Sequence, residues 1–218
     1  KPNKLWEKEE IFQLLWPDQD DANANKSFKV ALNSLLKTIE PNRKAREESF
    51  YIKRSGTAYG LNSLSGYELD VIHFEEWIHA GLEMNDPMRA KELLHKGLSL
   101  YEGDYLPDQR TSDWSLAERE RYQVLFLRGA EKMAQVSVRL KDFDSCIYWC
   151  EKILQIDATW EEAYRLMMFS YYLKNNRPQA LKWYQKCRDV LEEELGVEPM
   201  QPTKEMYEMI KEATGIEE

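Results

Sequence analysis

The chain has 218 residues, 43% of them hydrophobic and 32% charged, and a net charge of −9. That length suffices for one or two domains with a substantial core, and the lack of any apolar run near 18 residues excludes a helical membrane span. So acidic an average argues against non-specific nucleic-acid binding by the whole chain.

The average conceals an asymmetry. Residues 1–62 carry 11 basic and 9 acidic side chains, a net +2, whereas residues 63–218 carry 19 and 30, a net −11. Within the first part, residues 24–54 hold 8 basic and 3 acidic side chains, a local +5. Only nine glycines occur among long Leu-, Glu-, Lys- and Arg-rich runs, which favours helix. The three cysteines (Cys146, Cys150, Cys187) are odd in number and sit in helical patterns, as suits a reducing cytoplasm. With no signal peptide, the expected location is cytoplasmic. A start at Lys1 without methionine reads as a fragment of something longer or a processed start.

In chain order, Leu5 to Trp16 is dense enough in apolar residues for a short buried helix, which Pro17 stops. Asp18 to Asn25 is a polar turn, with Asn23 or Asn25 as the expected N-cap. The next helix runs to about Glu40 with Phe28, Ala31, Leu32, Leu35, Leu36 and Ile39 on one face. Lys26, Ser27, Lys29, Asn33, Ser34 and Lys37 lie on or beside the other, and Pro41 ends it. From Ser49 to Leu61 the period changes. Phe50 to Arg54 and Ala58 to Leu61 flank Ser55-Gly56-Thr57, the pattern of a β-hairpin.

Asn62 to Gly66 is the one linker-like stretch, and it suggests domains over residues 1–64 and 65–218. Beyond it, Leu69 to Leu82 is amphipathic. Asp86-Pro87 starts a helix by the N-cap and N1 rule, and Tyr101 to Pro107 breaks it. Ser115 to Leu140 carries a broad apolar stripe. A repeat then emerges: shifted by 34, Cys146 falls on Ala180, Ile147 on Leu181, Trp149 on Trp183, Lys152 on Lys186, and Gly129 on Ala163. A recurring small residue, aromatic and lysine at that period is the tetratricopeptide-type signature of stacked helix pairs. The last long helix stops at Gly196 with Pro199 beyond, and Thr203 to Ile210 forms a final helix.

The repeat, its exit Glu194-Leu195-Gly196-Val197-Glu198-Pro199 and the last helix resemble the bacterial transcriptional activator domain. That helical module stands behind an OmpR-type winged helix in transcription factors of the antibiotic-regulatory-protein type. Leu15-Trp16-Pro17, Val30-Ala31-Leu32, Leu35, Ile39-Glu40-Pro41 and Ala58-Tyr59-Gly60-Leu61 resemble the second half of that winged helix. The pattern departs in having no counterpart of the first strands and helix before Lys1. Ser34 and Leu36 also stand where such recognition helices commonly carry Arg.

The resemblance implies a mainly α protein. A truncated winged helix (helix-turn-helix plus hairpin wing) would precede a tetratricopeptide-like repeat domain. It implies double-stranded DNA as ligand, with Lys26, Lys29, Asn33 and Lys37 against a major groove and Lys53 and Arg54 on a neighbouring backbone. It also implies a helical domain that forms a homodimer or contacts RNA polymerase. Against this stands a helical-repeat adaptor with a winged-helix remnant that leaves DNA alone, which Ser34 and Leu36 favour.

No catalytic, cofactor or metal site is expected. His73, Glu76 and His79 spread over about 120° of helix with no fourth ligand, and the cysteines read as small core residues. Trp149, Trp160, Tyr164, Tyr171, Tyr172, Trp183 and Tyr184 read mostly as packing between repeats, with any exposed ring a candidate partner contact.

Overall fold

The computed structural model describes residues 4–44, 46–109 and 113–213, and the chain divides into two compact units, Lys1–Leu69 and Asp70–Glu218.

The first unit runs β1 (Trp6–Glu7), α1 (Lys8–Leu15), α2 (Asp21–Ile39), β2 (Ile52–Ser55) and β3 (Ala58–Leu61). The strands make one antiparallel sheet in the order β1-β3-β2, with Trp6 opposite Tyr59 and Arg54 opposite Tyr59 from the other side. The expected helix from Leu5 therefore begins later. Trp6 and Glu7 are taken by the free edge of β3, a partner more than fifty residues away that no local periodicity reveals. Glu7 then starts α1: its amide donates to Glu10 at 2.9 Å, and its carboxylate accepts from Thr57 Oγ1 at 2.7 Å. The cap of α2 also differs from expectation. Asp20, rather than Asn23 or Asn25, accepts from the Asn23 amide at 2.8 Å and from Asn23 Nδ2 at 2.9 Å. A carboxylate three residues before an amide donor outcompetes an asparagine already inside the first turn.

Phe12, Ala24 and Phe28 form the small core, with Ile11, Trp16, Leu32 and Tyr59 packed on it. Phe28 meets Phe12 and Tyr59 edge-on, with centroids 5.8 and 5.0 Å apart. This rotates the buried stripe of α2 from the expected one: Ala31 and Leu35 are exposed, and Ala24 is buried. Beyond α2, the Glu40 carboxylate gathers the chain. It accepts from Ser49 Oγ (2.8 Å), Phe50 N (2.7 Å) and Tyr51 N (2.9 Å). Burial pushes this carboxyl up, but those hydrogen bonds and Arg43 outweigh it and hold the group below the usual carboxylate range. The hairpin turn has Gly56 at φ +60° and a bond from Asn62 Nδ2 to Phe50 O at its base.

The second unit is helical: α3 (Asp70–Glu83), α4 (Pro87–Leu98), a 3-10 turn at Pro107–Gln109, α5 (Asp113–Arg139), α6 (Phe143–Ile156), α7 (Glu161–Leu173), α8 (Arg177–Leu195) and α9 (Gln201–Glu212). Helices pair as α3·α4, α5·α6 and α7·α8, and each pair packs on the next. The 34-residue repeat is a repeat of structure down to the turns. Lys141 and Asn175 both take left-handed φ, +59° and +57°. Asp142 N donates to Ser137 O at 2.8 Å, as Asn176 N does to Tyr171 O at 2.9 Å. Asp142 and Asn176 then cap their helices, accepting from the Ser145 and Gln179 amides. Cys146 and its counterpart Ala180 are wholly buried.

The stack closes at α9. Buried Glu161 accepts from Met200 N at 2.8 Å and from Thr203 Oγ1, which binds α9 to α7. Arg177 Nε donates to Ile210 O at 2.8 Å, supplying an unpaired carbonyl in the last turn of α9 with a cation. Gly196, with φ +65°, ends α8 through bonds from Gly196 N to Glu192 O and Val197 N to Leu191 O.

Candidate nucleic-acid interface

The basic side chains of the first unit stand on α2 and β2. The Asp20 cap holds α2 at one end and the Glu40 hydrogen bonds hold it at the other, so the helix presents a defined surface. Opposite the Ala24–Phe28 side, Lys26, Lys29, Asn33 and Lys37 are all exposed. At about 100° per residue, Lys26, Asn33 and Lys37 fall within about 40° of one another, with Lys29 alongside. Four of the six expected residues thus share one helix face.

The hairpin pair behaves differently. Lys53 and Arg54 are both exposed but consecutive in a strand, so they leave opposite faces of the ribbon. Arg54 shares its face with its cross-strand partner Tyr59. Its Nε donates to Gly56 O at 3.0 Å and its guanidinium lies 5.6 Å from the Tyr59 ring. Lys53 carries the hairpin charge that faces away from Tyr59. Arg43 is also committed within the unit, to Glu40 at 3.3 Å and to the Glu47 carbonyl. Of the eight basic side chains between residues 24 and 54, three (Lys26, Lys29 and Lys37) therefore share α2.

Val30 was missed as part of this surface. It stands one turn after Lys26, within the lysine face, and is 71% exposed. A helical wheel holds that signal, because Val30 falls about 40° from Lys26. In the sequence Val30 enters only through Val30-Ala31-Leu32, as part of the resemblance to the winged helix.

In the second unit, His73 stacks on Trp77 at 5.3 Å and its Nδ1 lies 3.6 Å from Glu76, while His79 is exposed. Among the described residues no three His, Cys, Asp or Glu side chains are grouped to hold a metal. The three thiols are free and buried, and burial pushes Cys187 up to about 12. Tyr164 is buried, and Trp149, Trp160, Tyr171, Tyr172, Trp183 and Tyr184 are half-buried. Trp160 Nε1 donates to Glu131 at 2.7 Å and Tyr184 stacks on Tyr207 at 4.0 Å. Tyr148, half exposed, is the ring in this region most open to solvent.

The bacterial transcriptional activator domain family matches residues 69–211, the span of α3 through α9. Among curated proteins the chain is similar to the regulatory protein AfsR of Streptomyces coelicolor, 24% identical over 211 residues. The match takes in 94% of this chain but 20% of AfsR, so the chain spans about a fifth of that relative's length. Among solved structures it resembles EmbR of Mycobacterium tuberculosis in complex with a low-affinity phosphopeptide. The TM-score is 0.74 at 16% identity, over 99% of this chain and 57% of that one. It also resembles the Hsp90 co-chaperone Cns1 of Saccharomyces cerevisiae, with a TM-score of 0.52 at 17% identity over 66% of this chain and 40% of that one. At these identities the two structural likenesses concern fold alone. No helix among the described residues is long and apolar enough to cross a membrane. The repeat, its caps and its closing helix coincide with the matched span, and the chain belongs to the bacterial transcriptional activator domain family.

Proposed function

We propose that this chain is part of a cytoplasmic, sequence-specific transcription regulator with no catalytic role. In this reading the first unit corresponds to the second half of a winged helix: β1, α1 and α2 lead into the β2–β3 wing, and the order β1-β3-β2 joins the wing to the strand before the helices. The second unit serves protein contacts, forming a homodimer or meeting RNA polymerase. The observation that carries the reading is the α2 face, where three lysines and Asn33 stand opposite the core side of a helix capped at both ends. An α-helix fits the major groove, and such a face supplies phosphate contacts around a polar centre. The names of the relatives, a regulatory protein among them, support the same class.

A second reading is a helical-repeat adaptor whose first unit leaves DNA alone. Leu36 is half-buried and Arg54 is held by Gly56 and Tyr59, which favours that reading. Fluorescence anisotropy of the chain with duplexes selected from a randomised library separates the two. A regulator prefers its selected duplex to random duplex by at least about tenfold, well short of the roughly thousandfold at which the usual ratio begins. Equal affinity for both leaves the adaptor. Sedimentation with and without that duplex tests the homodimer, and a monomer throughout removes it.

A further inference from the structure

Val30 is 71% exposed at the centre of an otherwise cationic and polar helix face. Lys26 lies one turn before it, Asn33 and Ser34 one turn after, and Lys37 two turns after. From Lys26 to Lys37 is about 16 Å along the axis, against a major groove about 12 Å wide. The terminal lysines of such a face reach the phosphates on the two walls, and its centre meets base edges. Phosphate contact alone favours a cation or a hydroxyl there. A β-branched aliphatic side chain neutralises nothing and is a poorer helix former than lysine. Leu35, another exposed aliphatic side chain of α2, lies about 180° from Lys26 and so outside this face.

In the major groove the C5 methyl of thymine is the base-edge group that an isolated aliphatic side chain complements, and adenine is the base that an asparagine amide takes through N6 and N7. Val30 and Asn33 are neighbours on the helix surface at spacing i, i+3. We infer that Val30 is a specificity-determining residue that packs on a thymine C5 methyl beside the adenine taken by Asn33, so that the preferred site carries adenine and thymine at its centre. The inference rests on α2 docking in a major groove, as proposed above.

The test uses the full chain and the duplex it selects from a randomised library, remade with each thymine in turn replaced by deoxyuridine, which lacks only the methyl. One thymine next to an adenine is expected to weaken binding about fourfold when demethylated, the effect of one buried methyl. Val30→Ser binds the two duplexes alike, and Val30→Ile keeps the difference. Val30 is exposed, so neither change disturbs the core. Sequence selectivity without any sensitive thymine, or the same penalty in wild type and Val30→Ser, overturns the role of Val30 and leaves the docking of α2 standing. Loss of all preference over random duplex overturns the docking itself, and this inference with it.

Discussion

Ile78 fills the space that a side chain on Gly97 would need. A Cβ there would stand 2.7 Å from Ile78 Cδ1 and 3.2 Å from Ile78 N, and one on Gly129 would stand 2.9 Å from the same methyl. Ile78 is wholly buried where α3, α4 and α5 meet, so it has nowhere to retreat. Gly97→Ala should gain roughly 1 kcal/mol of helix propensity and lose about 1–3 kcal/mol to overpacking. The expected net is a destabilisation of up to roughly 2 kcal/mol in urea unfolding, partly restored by Ile78→Val in the double variant. A stabilised Gly97→Ala would show that α3 and α4 are free to separate.

Trp183 packs against three clusters that join α6, α7, α8 and α9, whereas its repeat counterpart Trp149 packs against one. Both are half-buried. Trp183→Ala is expected to cost about 3 kcal/mol, the lower end for a large aromatic, and Trp149→Ala less. Trp183 Nε1 is buried with no hydrogen-bond acceptor among the described residues, so Trp183→Phe removes an unsatisfied donor together with some area. It should lie within about 1 kcal/mol of wild type, against the larger loss for alanine. Equal losses for Phe and Ala would mean that the indole nitrogen has a partner.

Asp142 does two jobs at once. It caps α6 through Ser145 and pairs with Lys91 Nζ of α4 at 2.7 Å. The Lys91 and Ser145 bonds, working against partial burial, pull its carboxyl down to about 2. A carboxyl lowered on folding adds stability that is complete above its unfolded value of about 4 and fades as the pH falls toward about 2. Asp142→Asn keeps a good cap but loses the charge, so its stability should vary less with pH between about 4 and 2. Asp142→Ala loses the cap as well, by about 1 kcal/mol more at pH 7. Identical pH profiles for wild type and Asp142→Asn would show that the ion pair with Lys91 adds nothing.

Binding to DNA is expected to be salt-sensitive in a way that follows the geometry. Lys26, Lys29, Lys37 and Lys53 neutralise about four phosphates, giving a slope of roughly −4 in log affinity against log salt. The double change Lys29→Ala, Lys37→Ala should flatten the slope by about 2. Arg54→Ala should change it little, since that guanidinium is occupied by Gly56 and Tyr59. An unchanged slope in the lysine double variant favours the adaptor.

The sequence by itself determined the second unit. Its 34-residue register follows from the internal repeat, and the Asp86 cap and the Gly196 stop from interactions within a few residues of chain, which local pattern encodes. The basic face of α2 was legible for the same reason, because it depends only on helical spacing. What only the tertiary structure decided lies in the first unit. Trp6 and Glu7 become a strand because β3 offers them an edge. Phe12, Phe28 and Tyr59 set the rotation of α2, exposing Ala31 and Leu35, and Tyr59 and Gly56 take up Arg54. Each of these depends on a partner in another element or on the path of a turn, and a small core, with few buried side chains to pin it, leaves several rotations compatible with one apolar pattern.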